Sequence, residues 1–544
     1  MSIRAFACPA GEWMRRWSAS RYAPAAPSAA DETQGLVSPP VAAKSPPMPP
    51  GQTSLAAASL TTEADAWFTP GRFAALLALL LCVTFPGVAL GTHSFFFRDF
   101  GTLAYPLVHY HRESFWRGEL PLWNPLSHCG TPFLAQWNTL VLYPFSLFYL
   151  LFPLPQSLNY FCLLHLFLAG MGMYLLAWHW VGNRFAAALA GLAFVFSGVT
   201  LSSHIYPNYL VTLGWMPWVV WLTERAWREG GRSVVAAALA GALQMLSGAP
   251  ELILQTWILL APLWAAQWAT RREAAWLWRF PLVVALVTGL AAVQLLPFLD
   301  LLTHSQRGPS YAGPLWTMPG WGWASFLVPL FHCYPTAQGV YLQAGQAFLT
   351  SYYLGVGVAA LALHALWQMP RRRVLALAAL AALGLVLALG ENGFLHTWLR
   401  SWMPVLGVTR FPIKFVYLPA FVAPLLAAFG AASLSAGALP AAKLRNRTLG
   451  LAAVLLVIMA GLSWFAWQYP SPGEERAVTA RSAATRAVFL VAILLIALWR
   501  DRWGRPRLSL LLRGGLLALV WLDAQTHTPQ IAPVLANSAY AGEI

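Results

Sequence analysis

From Arg72 to Asp523 the chain is a succession of apolar runs about as long as a bilayer is thick, and this recurrence constrains the fold more than anything else in it. A spanning helix needs about 20 predominantly apolar residues, with ~17 at the low end. Runs of that kind lie near 72–91, 158–180, 185–202, 207–223, 233–249, 252–268, 280–300, 347–367, 373–390, 413–436, 448–467, 485–499 and 508–523. Thirteen transmembrane helices are therefore expected, in an all-α polytopic membrane protein. With 58% hydrophobic and only 10% charged residues there is too little polar surface for a water-soluble globule.

The formal charge of +15 comes from 34 Lys and Arg against 19 Asp and Glu. In a soluble domain that excess would suggest nucleic acid. Here the basic residues lie in short loops between apolar runs, as the positive-inside rule expects, and no nucleic-acid partner is inferred.

The segment 139–153, TLVLYPFSLFYLLFP, is apolar but short and contains Pro144. If it spanned, the basic loop 224–232 would move outside. If it does not, Arg184, Arg225, Arg271, Arg371, Lys443 and Arg500, with their basic neighbours, share the cytoplasmic side. It therefore reads as re-entrant or interfacial. Residues 1–70, rich in Ala, Pro and Ser, read as a disordered cytoplasmic tail. Residues 71–523 form the membrane domain, with long outward loops at 92–157 and 301–346, and 524–544 form a short extracytoplasmic tail. Cys129 and Cys333 both fall in outward loops, which leaves a disulfide between them open; no CxxC or zinc spacing occurs.

A charge near the middle of a membrane helix costs about 2.5–3.5 kcal/mol, so ionisable residues belong at helix ends or in cavities. The outer ends carry Asp99, Glu113, Glu119, Glu251, Asp300, Glu391 and Asp523, together with Arg98, Arg112, Arg117, Arg307, Arg400, Arg410 and Lys414. Asp99 reads either as an interfacial residue paired with Arg98 or as a reaction site, and its position directly after the first span favours the second. Arg410 and Lys414 in TRFPIKF have i, i+4 spacing that would put both on one helical face, where they could hold a phosphate. His109 and His111 would diverge on a helix. No HExxH, DxD, P-loop or GxSxG is present.

The order of an apolar span, FRDF, and the aromatic loop GELPLWNPLSHCGTPFLAQWNTLVLYPFSLFYLLFP resembles the YfhO-like bacterial membrane proteins, which belong with the GT-C glycosyltransferases. FVFSGVTLSSHIYPNYLVTLGWMPWVVW, LSGAPELILQ and VTRFPIKFVYLPAFVAPLLAAFG extend the resemblance over about residues 72–523. It implies a GT-C-like first outward loop carrying interfacial helices. It also implies an enzyme of the bacterial cytoplasmic membrane, with its N-terminus inside and C-terminus outside. Such an enzyme moves a sugar from a polyprenyl-phosphate carrier to an envelope glycan, lipid or protein on the outer side. Asp99 occupies the usual GT-C catalytic position in the first outward loop. Arg410, Lys414 and Arg307 are then candidates for the donor phosphate. Arg98, Trp123, Asn124, Gln136, His204 and Glu251 are candidates for sugar or acceptor contacts. No cofactor motif is present; a Mg²⁺ bridging Asp99 to phosphate would need no diagnostic protein cage. Two departures are Ala249, where the family more often has His, and the shortness of the segment after Asp523. A lipid or polysaccharide transporter or flippase, and a non-catalytic assembly subunit, remain open as alternatives.

Overall fold

The computed structural model describes residues 64–306, 314–369, 371–403, 410–435, 440–500 and 505–540. Residues 1–63 of the expected tail, and Arg307, lie outside the described residues. The chain is a polytopic α-helical membrane protein. Among the described residues seven helices are long and apolar enough to cross a bilayer, and one bent pair would make an eighth.

In chain order the principal helices are α1 (Pro70–Thr84), α2 (Tyr105–Trp116), α3 (Gln156–Val181), α4 (Arg184–Val195), α5 (Pro207–Glu229), α6 (Arg232–Met245) and α7 (Pro250–Arg271). They continue with α8 (Ala274–Leu290), α9 (Ala292–His304), α10 (Val356–Gln368), α11 (Arg372–Ala388), α12 (Tyr417–Ser435), α13 (Ala441–Gln468), α14 (Arg476–Trp499) and α15 (Pro506–Gln525). The core forms around two helices rich in Ala and Gly. The span that begins with α4 is buried along its whole length, and the one ending in α12 almost so. Their Ala and Gly residues permit close approach: a Cβ on Gly430 would stand 2.0 Å from the Leu361 carbonyl oxygen of α10. A side chain there would force α10 and α12 apart.

Each of the thirteen apolar runs carries helix, but three of them differ from the expected pattern. The first run breaks at Phe85, because a residue before proline is driven out of the helical region, and α1 is left with 15 residues. The run 280–300 bends by 73° between α8 and α9. The α9 arm packs on the first outward loop, where Gln294 donates to the Leu134 carbonyl and Phe298 meets Trp137. In the run 347–367 only α10 is helical. Residues 347–355 are buried without regular structure because side chains satisfy their backbone: Gln346 accepts from the Phe348 and Leu349 N–H groups, and Ser202 accepts from that of Ser351. Irregular backbone at membrane depth is tolerated where protein surrounds it in this way. The segment 139–153, expected not to span, forms short 3₁₀ turns, the longest being Pro144–Leu150, which at about 2 Å per residue cannot cross a bilayer.

Among the described residues three two-stranded antiparallel ribbons lie in the loops. Strands β2 (Trp123–Asn124) and β3 (Thr131–Pro132) make a hairpin, as do β4 (Cys333–Pro335) and β5 (Tyr341–Gln343), while β1 (His93–Phe95) pairs with the distant β6 (Val534–Ala536). Loops expected on the outer side interlock with one another. The His332 imidazole and backbone N–H both bond the buried Glu474 carboxylate, and Asn392 donates to Thr317 and Met318. Loops expected on the other side gather elsewhere, around Glu224, which takes Arg373 at 2.6 Å and Arg228 at 3.4 Å. Cys129 and Cys333 are separate free thiols, the first exposed and the second buried.

The boundary of the tail also shifts. Residues 64–69 pack on the bundle: Phe68 is buried against Phe185, and the Asp65 carboxylate accepts from the Arg184 and Phe185 N–H groups at 3.1 and 2.8 Å. Asp65 thus satisfies two of the donors that α4 leaves open at its first turn. Asp65→Ala is expected to cost about 1–2 kcal/mol, as loss of a helix cap does, read as a lowered thermal midpoint in detergent.

Candidate functional site

The backbone dictates where Asp99 stands. Arg98 is held at φ 52°, a left-handed conformation that costs a non-glycine residue roughly 1–2 kcal/mol. After this sharp turn the chain enters a wide π-helical turn, Phe100–Ala104, which runs directly into α2. Turns of this type recur at functional sites. The turn requires Gly101, where a Cβ would lie 2.5 Å from the Phe96 carbonyl oxygen. Arg98 is fixed from two sides: one guanidinium nitrogen donates to the Ala347 carbonyl and the other to the Tyr206 hydroxyl at 3.3 Å.

Asp99 is half-buried and lines a cleft of about 410 Å³. Leu103, Leu107, Leu140 and Ile205 supply its apolar wall; Asn138, Asn208 and Tyr206 join Asp99 in supplying polar groups. Among the described residues Asp99 makes no ion pair and no hydrogen bond through its side chain, so the expected pairing with Arg98 does not form. Burial holds the Tyr206 phenol above its ordinary range; Arg98 works against that shift and Asp99 adds to it. The tyrosine hydroxyl, which accepts from Arg98, stays neutral between a cation and a carboxylate.

Behind Tyr206 the aromatic rings form a continuous path. Phe348 stacks on Tyr206 at 4.8 Å, Phe411 lies 5.8 Å from Phe348, and Trp316 stacks on Phe411 at 4.3 Å. Lys414 sits against this path, nearly buried, with its ammonium 4.6 Å from the Phe411 ring and 2.6 Å from Glu251 Oε1. Tyr209 donates to the other Glu251 oxygen at 2.9 Å and accepts from Lys414. Glu251 lies in the first turn of α7, where the helix dipole favours a carboxylate.

Arg98, Asp99, Glu251 and Lys414, from three separate parts of the chain, are thereby brought into one neighbourhood. Their roles differ from the sequence expectation in two respects. Lys414 is committed to Glu251 and Tyr209, so neither Lys414 nor Glu251 offers an open group to a ligand. Arg410 and Lys414 do not share a helical face, because Phe411, preceding Pro412, is extended and the helical turn starts only at Pro412. Arg410 lies before that turn, half-buried, with its Nε unsatisfied among the described residues.

Trp123, Asn124 and Gln136 are not among the residues walling the cleft. Trp123 is an exposed residue of β2 whose indole covers Gly130. Asn124 closes the hairpin turn through Ser127 and the Leu126 N–H, and Gln136 donates to the Pro132 carbonyl at 2.6 Å. His204 is buried beside Phe95 and Phe100, its Nδ1 on the Leu201 carbonyl. His109 is exposed and His111 buried, so the two diverge. The sequence reading passed over Tyr206, Asn208 and Tyr209. All three belong to YPNY, where Tyr206 precedes α5 and Asn208 and Tyr209 lie in its first turn; two aromatics and an amide beside a predicted outer loop were the available signal.

No family model matches the chain, and no curated protein matches it. Among solved structures, the crystal structure of ArnT from Cupriavidus metallidurans in the apo state superposes with a TM-score of 0.48 at 14% identity, covering 84% of this chain and 75% of that one. The YfhO-like resemblance therefore rests on the sequence motifs, and what the structure establishes is a polytopic α-helical membrane protein with a cleft, lined by Asp99, between its first long loop and residues 205–208.

Proposed function

We propose that the chain is a YfhO-like membrane glycosyltransferase of GT-C type, acting at the outer face of the bacterial cytoplasmic membrane. It would move a sugar from a polyprenyl-phosphate carrier to an acceptor hydroxyl of the envelope. The observation that carries this reading is the Asp99 carboxylate, half-buried on a cleft wall without a partner of its own among the described residues. A structural carboxylate at such a site is ordinarily paired, as Glu251, Glu474 and Asp523 are here.

In the proposed step the acceptor oxygen forms a bond to the anomeric carbon while the bond from that carbon to the phosphate oxygen breaks. The bonding pair leaves with the phosphate, and Asp99 takes the hydroxyl proton as general base. The departing phosphate is already a weak base and needs positive charge more than a proton donor. Arg410 supplies that charge. Lys414 contributes by position: it holds Phe411, the residue next to Arg410, through its ammonium–ring contact. Asn138, Asn208 and Tyr206 orient hydroxyl groups in the cleft.

Arg410→Ala is expected to weaken binding of a polyprenyl phosphate roughly tenfold or more, the scale of one lost charge-assisted hydrogen bond, measured by titration calorimetry on the protein in nanodiscs. Unchanged affinity would assign Arg410 to the fold. The reading as a whole is tested by profiling lipid-linked and envelope glycans of cells with and without the gene. A glycan missing one sugar without the protein supports it; identical profiles contradict it.

A further inference from the structure

The C-terminal segment returns to the first outward loop and grips the stretch that carries Asp99 at both of its ends. Strand β6 pairs with β1 in the register His93↔Ala536, Ser94↔Leu535 and Phe95↔Val534. The pairing is extended by Asn537, whose backbone N–H donates to the Thr92 carbonyl and whose side chain donates to that of Gly91 at 2.7 Å. Tyr540 completes the grip. Its hydroxyl donates to the Phe95 carbonyl at 3.1 Å, ahead of Asp99, and its ring lies 5.0 Å from that of Tyr105, where α2 begins after the π-helical turn.

We propose that Tyr540 is a positioning residue for Asp99, bridging the entry and exit of the strained turn that presents the carboxylate to the cleft. The turn has reason to need such a bridge. It begins with the left-handed Arg98 and continues through a π-helical turn, conformations that persist only where surrounding contacts over-determine them. Arg98 is anchored on the opposite side by Ala347 and Tyr206. Tyr540 is the contact that ties Phe95 to Tyr105 across the turn itself. A carboxylate misplaced by an ångström loses much of its catalytic advantage, so a contact outside the cleft can control turnover.

The inference rests on the reading of Asp99 as the reacting group, and the test separates the two. Hydrogen exchange of the intact chain in nanodiscs is followed by mass spectrometry for wild type, Tyr540→Phe and Tyr540→Ala. Tyr540→Ala is expected to speed exchange in residues 96–104 by ~tenfold or more, with α10, α12 and the thermal midpoint unchanged. Tyr540→Phe, which keeps the ring on Tyr105 and loses the bond to Phe95, is expected to fall between. In a transfer assay Tyr540→Ala should lower kcat by roughly tenfold to 10²-fold with the donor KM unchanged. Unaltered exchange in 96–104, or acceleration spread evenly through the helices, would overturn the proposal. If no sugar transfer is found in wild type, the exchange result still decides whether Tyr540 sets the turn.

Discussion

Lys414→Met is expected to destabilise the folded chain by about 3–5 kcal/mol, the cost of leaving one partner of a buried ion pair behind. Both side chains are almost wholly enclosed, and the Lys414 ammonium makes its 2.6 Å contact with Glu251 inside a wall of aromatic rings. Removing the cation strands a carboxylate whose remaining support is the Tyr209 hydroxyl and the dipole of α7, worth about 0.3–1 kcal/mol. Methionine fills most of the lysine volume, so the loss reports charge rather than a cavity. The double variant Lys414→Met/Glu251→Gln should recover most of it, because replacing both members of a buried pair is often nearly neutral. Thermal unfolding of wild type, Lys414→Met, Glu251→Gln and the double variant in one detergent gives the cycle. A single variant as stable as wild type would mean that the pair is not structural and would return Lys414 to the list of phosphate ligands.

Asp99→Asn is expected to lower transfer by ~10²–10⁴, the range for removal of a general base. Asparagine preserves the shape of the side chain but cannot accept a proton. Because Asp99 has no ion pair or side-chain hydrogen bond among the described residues, the same substitution should leave stability within about 0.5 kcal/mol, as for positions that make no special contact. The two variants are therefore opposite in kind. Lys414→Met should cost stability first, and Asp99→Asn should cost turnover alone.

Hydropathy made the helices legible because the bilayer imposes a length on them, and every apolar run carries helix. What it could not show is where buried polar side chains replace helical hydrogen bonding. Residues 347–355 look like half a span, yet Gln346 and Ser202 hold them as buried irregular chain. The same limit hid the packing of 64–69: a single Asp65 in an Ala-rich segment gives no sign that it caps a helix more than a hundred residues away. At the site, the placement of Asp99 and Arg98 was legible because both follow the first span directly. The partnership of Glu251 with Lys414 was not, since two charges 163 positions apart declare their signs but not their contact. Trp123, Asn124 and Gln136 have the composition of sugar-binding residues, but a short hairpin uses the same amide groups to satisfy its own backbone and the indole to cover Gly130.

Sugar transfer as proposed depends on Asp99 removing the acceptor proton. Its most direct test is single-turnover transfer from a radiolabelled polyprenyl-phosphate sugar by purified wild type and Asp99→Asn in nanodiscs, with binding of the donor measured in parallel. The variant is expected to bind donor as wild type does and to transfer at least ~10²-fold more slowly. A well-folded Asp99→Asn protein that transfers at close to the wild-type rate would contradict it.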